Sequence, residues 1–177
     1  MKSSIKNIFT SIGFFLVPII SILFLEIFLY APRSNSFWNF MRLTPFYIGI
    51  YTWISIRQDA FNLISAFILG FFADVLSGAP IGINIMSFLL LYIISSRILF
   101  YFNIKKFSYS WVLFTLASLI TLIFKGILLS VFYRKLIPLN FLFIEFVLTL
   151  ALYPIITPFY VWVERRYIHL EDSYEKI

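Results

Sequence analysis

Four ionisable residues lie inside long apolar runs of this 177-residue sequence: Glu26, Asp74, Lys125 and Glu145. A charge at the centre of a bilayer costs about 2.5–3.5 kcal/mol or more, so such groups pair with one another, line a wet cavity or move protons. At a rise of about 1.5 Å per residue, Lys125 lies about 24 Å along its run from the inner end, Glu26 about 22 Å and Asp74 about 20 Å. Glu145 enters from the other side and is about 8 Å deep. All four fall at one level, in the outer half of a hydrocarbon core roughly 30 Å thick. The spacing predicts one intramembrane polar network, with Lys125 as the cation facing two or three carboxylates. Three roles suit it: a staple that fixes helix order, a polar pocket open to the far side, or a contact for a partner's membrane helix.

Helical periodicity extends the pattern. Ala66, Gly70, Asp74 and Gly78 recur every fourth residue, a small and polar stripe. Thr115, Ser118, Thr121 and Lys125 form a second, and Glu145, Thr149, Tyr153 and Thr157 a third. Small residues let membrane helices approach closely, so packing or a solute pathway are the meanings of such faces.

Catalysis has little to work with. The single histidine, His169, lies in the C-terminal tail, on the opposite side from Ser77 in the topology read below, which denies them a shared proton. Cysteine is absent, removing disulfides and thiolate ligands. Asp74 and Glu145 suit a metal ion, but Lys125 beside them opposes a cation. There is no glycine-rich phosphate loop. The sequence predicts a protein that is not an enzyme and carries no metal or cofactor.

The elements that hold these residues are membrane spans. Hydrophobic residues make up 62% of the chain and charged ones 12%, against roughly 45–50% and about 25% in soluble domains. So short a chain cannot bury that much apolar surface in water. Six spans are predicted, at about 11–30, 43–57, 60–77, 82–102, 109–133 and 140–163. The second is short and has Pro45 near its start, which suits a tilted or re-entrant segment. The first follows Lys2 and Lys6 but is too long for a signal core and lacks a small-residue cleavage site, so it reads as retained. Connections are short turns, and the chain is one all-α domain over 1–177.

The net charge of +6 is spread between spans rather than gathered into a nucleic-acid-binding stripe. With an even number of spans, Lys2, Lys6, Arg57, Arg97, Lys105, Lys106, Arg165, Arg166 and Lys176 share one side, and Arg33, Arg42, Arg134 and Lys135 the other. The positive-inside rule then places both termini in the cytoplasm.

The segment Gly70-Phe71-Phe72-Ala73-Asp74-Val75-Leu76-Ser77-Gly78-Ala79-Pro80-Ile81-Gly82 resembles the G-x-x-x-D-x-x-S-G-x-P-x-G signature of the rod shape-determining MreD family. Tyr153-Pro154, preceded by Leu152, resembles that family's Leu-Tyr-Pro element, and Arg42 with Pro45 resembles its Arg-Pro-Asp segment. The chain departs from the pattern at Phe46, where an acidic residue is expected. It departs again at Arg57-Gln58, which replaces Arg-Pro, and at Asn84, where histidine is common. Length, span count and short termini also fit.

The resemblance implies a multi-pass protein of the bacterial inner membrane, a non-catalytic scaffold of the elongation machinery that supports rod shape and sidewall peptidoglycan synthesis. It implies as partners an MreC-like bitopic protein, a RodA-type glycosyltransferase, a class B penicillin-binding transpeptidase and MreB filaments. From the residues themselves, the competing expectation is a subunit that binds or transports a small solute through an outer-half polar pocket.

Overall fold

The computed structural model describes residues 16–28, 44–78, 80–101, 107–136 and 138–175. These form helices α1 (Leu16–Phe28), α2 (Thr44–Ile56), α3 (Leu63–Ser77), α4 (Ile83–Tyr101), α5 (Phe107–Tyr133) and α6 (Leu139–Glu175). The architecture is all-α. Arg42, and the basic residues at Lys2, Lys6, Arg33, Lys105, Lys106 and Lys176 used for orientation, lie outside the described residues.

Helices α4, α5 and α6 (as far as Arg166) are long and apolar enough to cross a membrane; α1 and α3 are shorter apolar helices. The outer faces are studded with bulky exposed hydrophobics, among them Phe28, Ile93, Phe100, Trp111, Ile127, Phe143 and Trp162. A surface of this kind suits lipid as the surrounding solvent, since hydrocarbon is as apolar as the side chains it meets.

The second predicted span becomes the centre of the molecule. Helix α2 has 13 residues, about 20 Å of rise, and is apolar on every side. A helix hydrophobic all round is a buried one. Phe46, Tyr47, Ile48, Ile50 and Tyr51 are all fully enclosed, and the following Ala60 and Phe61 are buried as well. Helices α6 and α4 supply most of the covering, with α5 touching more lightly. From α1, Ile19 and Ile22 join the same core. Gly49 makes the close approach possible: a Cβ there would stand 2.6 Å from Ile22 Cγ1 and 2.8 Å from the Tyr160 hydroxyl. The Trp53 indole donates to Ser21 Oγ at 3.0 Å, pinning α1 to the far end of α2.

Helices α3 and α4 form the most extensively packed pair. The start of α3 is capped by Asn62, whose Oδ1 accepts from Ser65 N at 2.9 Å. Its end is closed by Gly78 in the left-handed region, φ 64°. Helix α6 runs for 37 residues with Pro154 and Pro158 inside it, and continues to Glu175, beyond the predicted end of the sixth span at 163. Each proline removes one helical hydrogen bond, and packing against neighbouring helices offsets the loss.

Candidate functional site

The family-like segment folds into a closed polar clasp between α3 and α4. Asp74, on the last turn of α3, is 1% exposed. Its Oδ2 accepts from Gly82 N at 2.7 Å and its Oδ1 from Asn84 N at 2.9 Å. Both donors stand at the start of α4, where helical N–H groups lack partners and the dipole is positive. Asp74 thus caps the next helix with the carboxylate its own helix end disfavours. The Asn84 side-chain amide donates to Ser77 Oγ at 3.1 Å, and that hydroxyl donates to the Asp74 carbonyl at 3.3 Å.

Glycine serves the clasp in two ways. Gly78 (φ 64°) and Gly82 (φ 112°) take backbone angles that side chains disfavour. Gly70 lets α4 come close, since a Cβ there would lie 2.5 Å from Ile85 Cα. Pro80 accepts from Ile83 N at 3.3 Å and shapes the turn itself.

The second polar centre joins α5 to α6. Lys125 Nζ donates to Glu145 Oε1 at 2.6 Å, with side chains only 6% and 3% exposed. The ammonium also stands 5.7 Å from the centroid of the Tyr47 ring on α2, a cation–π contact. Glu145 Oε2 and the Tyr47 hydroxyl are buried without a hydrogen-bond partner among the described residues.

Glu26 is separate from both. It is 1% exposed on the inner face of α1. Its electrostatic neighbour is Tyr160, about four turns along α6 from Glu145. The Tyr160 hydroxyl donates to the Pro45 carbonyl at 3.4 Å.

The four charges therefore do not share one network. Lys125 and Glu145 pair; Asp74 is held by backbone donors, and Glu26 faces a tyrosine. The expectation rested on depth, which fixes position along a helix and leaves open where each helix stands around the bundle. Helix α3 packs chiefly on α4, so Asp74 meets the start of that helix and not Lys125.

The polar stripes do face inward, apart from Thr115 and the turn residue Gly78. Two of their hydroxyls bond to their own helices, Thr121 Oγ1 to Ala117 O at 2.8 Å and Thr149 Oγ1 to Glu145 O at 2.7 Å, while Thr157 Oγ1 is buried without a hydrogen-bond partner among the described residues. The first two are satisfied before any solute arrives.

Tyr153 ties three helices together. Its ring stacks on Phe114 with centroids 4.4 Å apart, and its hydroxyl shares a hydrogen bond with Ser110 Oγ at 2.9 Å. The Tyr51 hydroxyl reaches the Ser110 carbonyl at 3.0 Å. Sequence reasoning missed Tyr47, Tyr51, Ser110 and Tyr160 as partners of the polar residues. Tyrosines at a fourth-residue spacing in a mostly apolar helix, Tyr47 and Tyr51, were the available signal. Among the described residues, no three His, Cys, Asp or Glu side chains converge as metal ligands do. Compared with protein-family models, curated proteins and solved structures, the chain has no match.

Proposed function

We propose that this chain is a non-catalytic membrane scaffold of the bacterial cell-elongation complex, similar in role to the MreD family. In this reading it crosses the inner membrane six times with both termini in the cytoplasm. It supports rod shape and sidewall peptidoglycan synthesis by holding partner membrane proteins. The partners are an MreC-like bitopic protein, a RodA-type glycosyltransferase and a class B penicillin-binding transpeptidase, with MreB filaments on the cytoplasmic side.

The observation that carries the reading is the clasp at Gly70–Gly82. The residues that match the family signature are the ones that join α3 to α4: Gly70 by close approach, Asp74 and Ser77 by hydrogen bonds, Gly78 and Gly82 by backbone angle. A motif spent on rigid geometry suits a protein that presents surfaces. The separation of the four charges, and the Thr121 and Thr149 hydroxyls already bonded to their own helices, weigh against a shared solute pocket.

The test is affinity purification of the tagged chain from its own membranes in mild detergent, with co-purifying proteins identified by mass spectrometry. Recovery of the elongation components is expected. Recovery of an energising ATPase subunit, with none of those components, refutes the reading.

A further inference from the structure

Beside the Lys125–Glu145 pair, the hairpin of α5 and α6 leaves an open groove of about 560 Å³. Its floor is Ser130 of α5 and Leu142 of α6, the latter seated against Gly126 one turn before Ser130. Ile127 and Val131 form one wall and Leu136 and Leu139 the other, each more than half exposed. Ser130, the one hydroxyl in the lining, donates to the Gly126 carbonyl at 2.8 Å and presents carbon to the groove. The volume falls within the roughly 300–1,000 Å³ common for small-molecule sites.

One end of this apolar groove carries charge. Arg134 and Lys135 stand between the lining residues Val131 and Leu136 and are both exposed. Arg134 adopts φ 50°, a left-handed angle that ends α5 and turns the chain. Among the described residues, two buried carboxylates are already engaged, Glu145 with Lys125 and Asp74 with the backbone of α4. Favourable contact with the α5 dipole explains one cation at that end. It does not explain an uncovered apolar groove running up to two of them.

We propose that the α5–α6 groove binds one anionic phospholipid, with an acyl chain against Leu142, Ser130 and Ile127 and the phosphate at Arg134 and Lys135. Charge complementarity selects the headgroup and the apolar lining selects the tail. The site is independent of the scaffold reading and applies to any function the chain serves.

The test uses the full-length protein in mild detergent, titrated with phosphatidylglycerol or with phosphatidylcholine of the same acyl chains. Binding is read by native mass spectrometry and by thermal unfolding. Phosphatidylglycerol is expected to bind one to one and to saturate. Its preference over phosphatidylcholine should be roughly 25-fold, about fivefold per cation. The double variant Arg134→Gln/Lys135→Gln should lose that preference, while Arg166→Gln, a cation elsewhere, should keep it. Ser130→Leu, which fills the floor, should weaken both lipids. Equal binding of the two lipids by the wild-type protein overturns the proposal, and that comparison needs no variant to fold. Stabilisation by inorganic phosphate equal to that by the lipid also overturns it, by showing a phosphate site without a tail. A second copy of the chain occupying the groove, seen as a dimer that lipid does not dissociate, overturns it as well.

Discussion

Asp74 lies at the junction of two helix ends, and its surroundings set what a substitution does. An anion is disfavoured at the end of α3 and favoured at the start of α4. The two N–H donors of α4 hold both carboxylate oxygens at that junction. Asp74→Asn keeps the shape but turns an amide NH₂ toward one of those donors. A loss of roughly 2–3 kcal/mol is expected, because hydrogen bonds to charged groups are strong and the orphaned N–H stays buried. Unfolding by denaturant in detergent would measure it, and a change below the error of that measurement would show that the clasp contributes nothing to stability.

Lys125 and Glu145 behave differently, since each charge has the other as its main support. Glu145→Gln should destabilise the protein by roughly 3–5 kcal/mol, as removal of one partner from a buried pair does. The reversed pair Lys125→Glu/Glu145→Lys should recover part of that loss, whereas exchanging Lys125 with Asp74 should recover none. Absence of any rescue by the first reversal would mean that the ring of Tyr47 or the local packing, and not the ion pair, fixes the geometry.

Among the elements, the glycines separate rigid contacts from yielding ones. Gly70 faces backbone, the Cα of Ile85, so an added methyl must move a helix. Gly126 faces the tip of a side chain, Leu142 Cδ1, which can rotate away. Gly70→Ala is therefore expected to cost clearly more stability than Gly126→Ala, in the range of about 1–3 kcal/mol typical of overpacking. Equal losses in parallel unfolding curves would refute this ordering.

The same elements show what was legible in the sequence. Long apolar runs marked α4, α5 and α6, because length and hydropathy are properties of a single segment. The inward stripes were also visible, since periodicity fixes which residues share a face. The importance of α2 was not. Shortness and Pro45 weaken a segment judged as a lone span, but enclosure by the five other helices depends on their arrangement, which no local pattern records. The charge cluster failed for a similar reason. Position along each helix was readable for Asp74 and Lys125, but which partners the bundle brings to each was not. Asp74 was expected to need a partner, and the partner is backbone, which every sequence contains and none advertises.

At the scale of the molecule, the outward faces are apolar and the inner surface is a tyrosine-rich core around α2. Tyr51, Phe114 and Tyr153 bring α2, α5 and α6 together, with ring centroids 5.1 Å and 6.1 Å from Tyr51. Tyr153→Ala removes both the stack and the hydroxyl bond, and by the range for truncating a large buried aromatic should cost about 3–5 kcal/mol. Tyr153→Phe keeps the ring and should cost only about 1 kcal/mol, the worth of one hydrogen bond. Comparable losses in the two variants would assign the tie to the hydroxyl instead of to the ring.

The enclosure of α2 has a consequence for the order in which the protein is made. Apart from Ser21 and Ile22 of α1, its covering residues, among them Phe88, Phe114, Tyr153 and Tyr160, leave the ribosome after it. During synthesis the segment must wait for neighbours that do not yet exist, and the last of them is carried by the final helix. The core around α2 can close only once α6 has been made, which places the burial of this segment late in the order of synthesis.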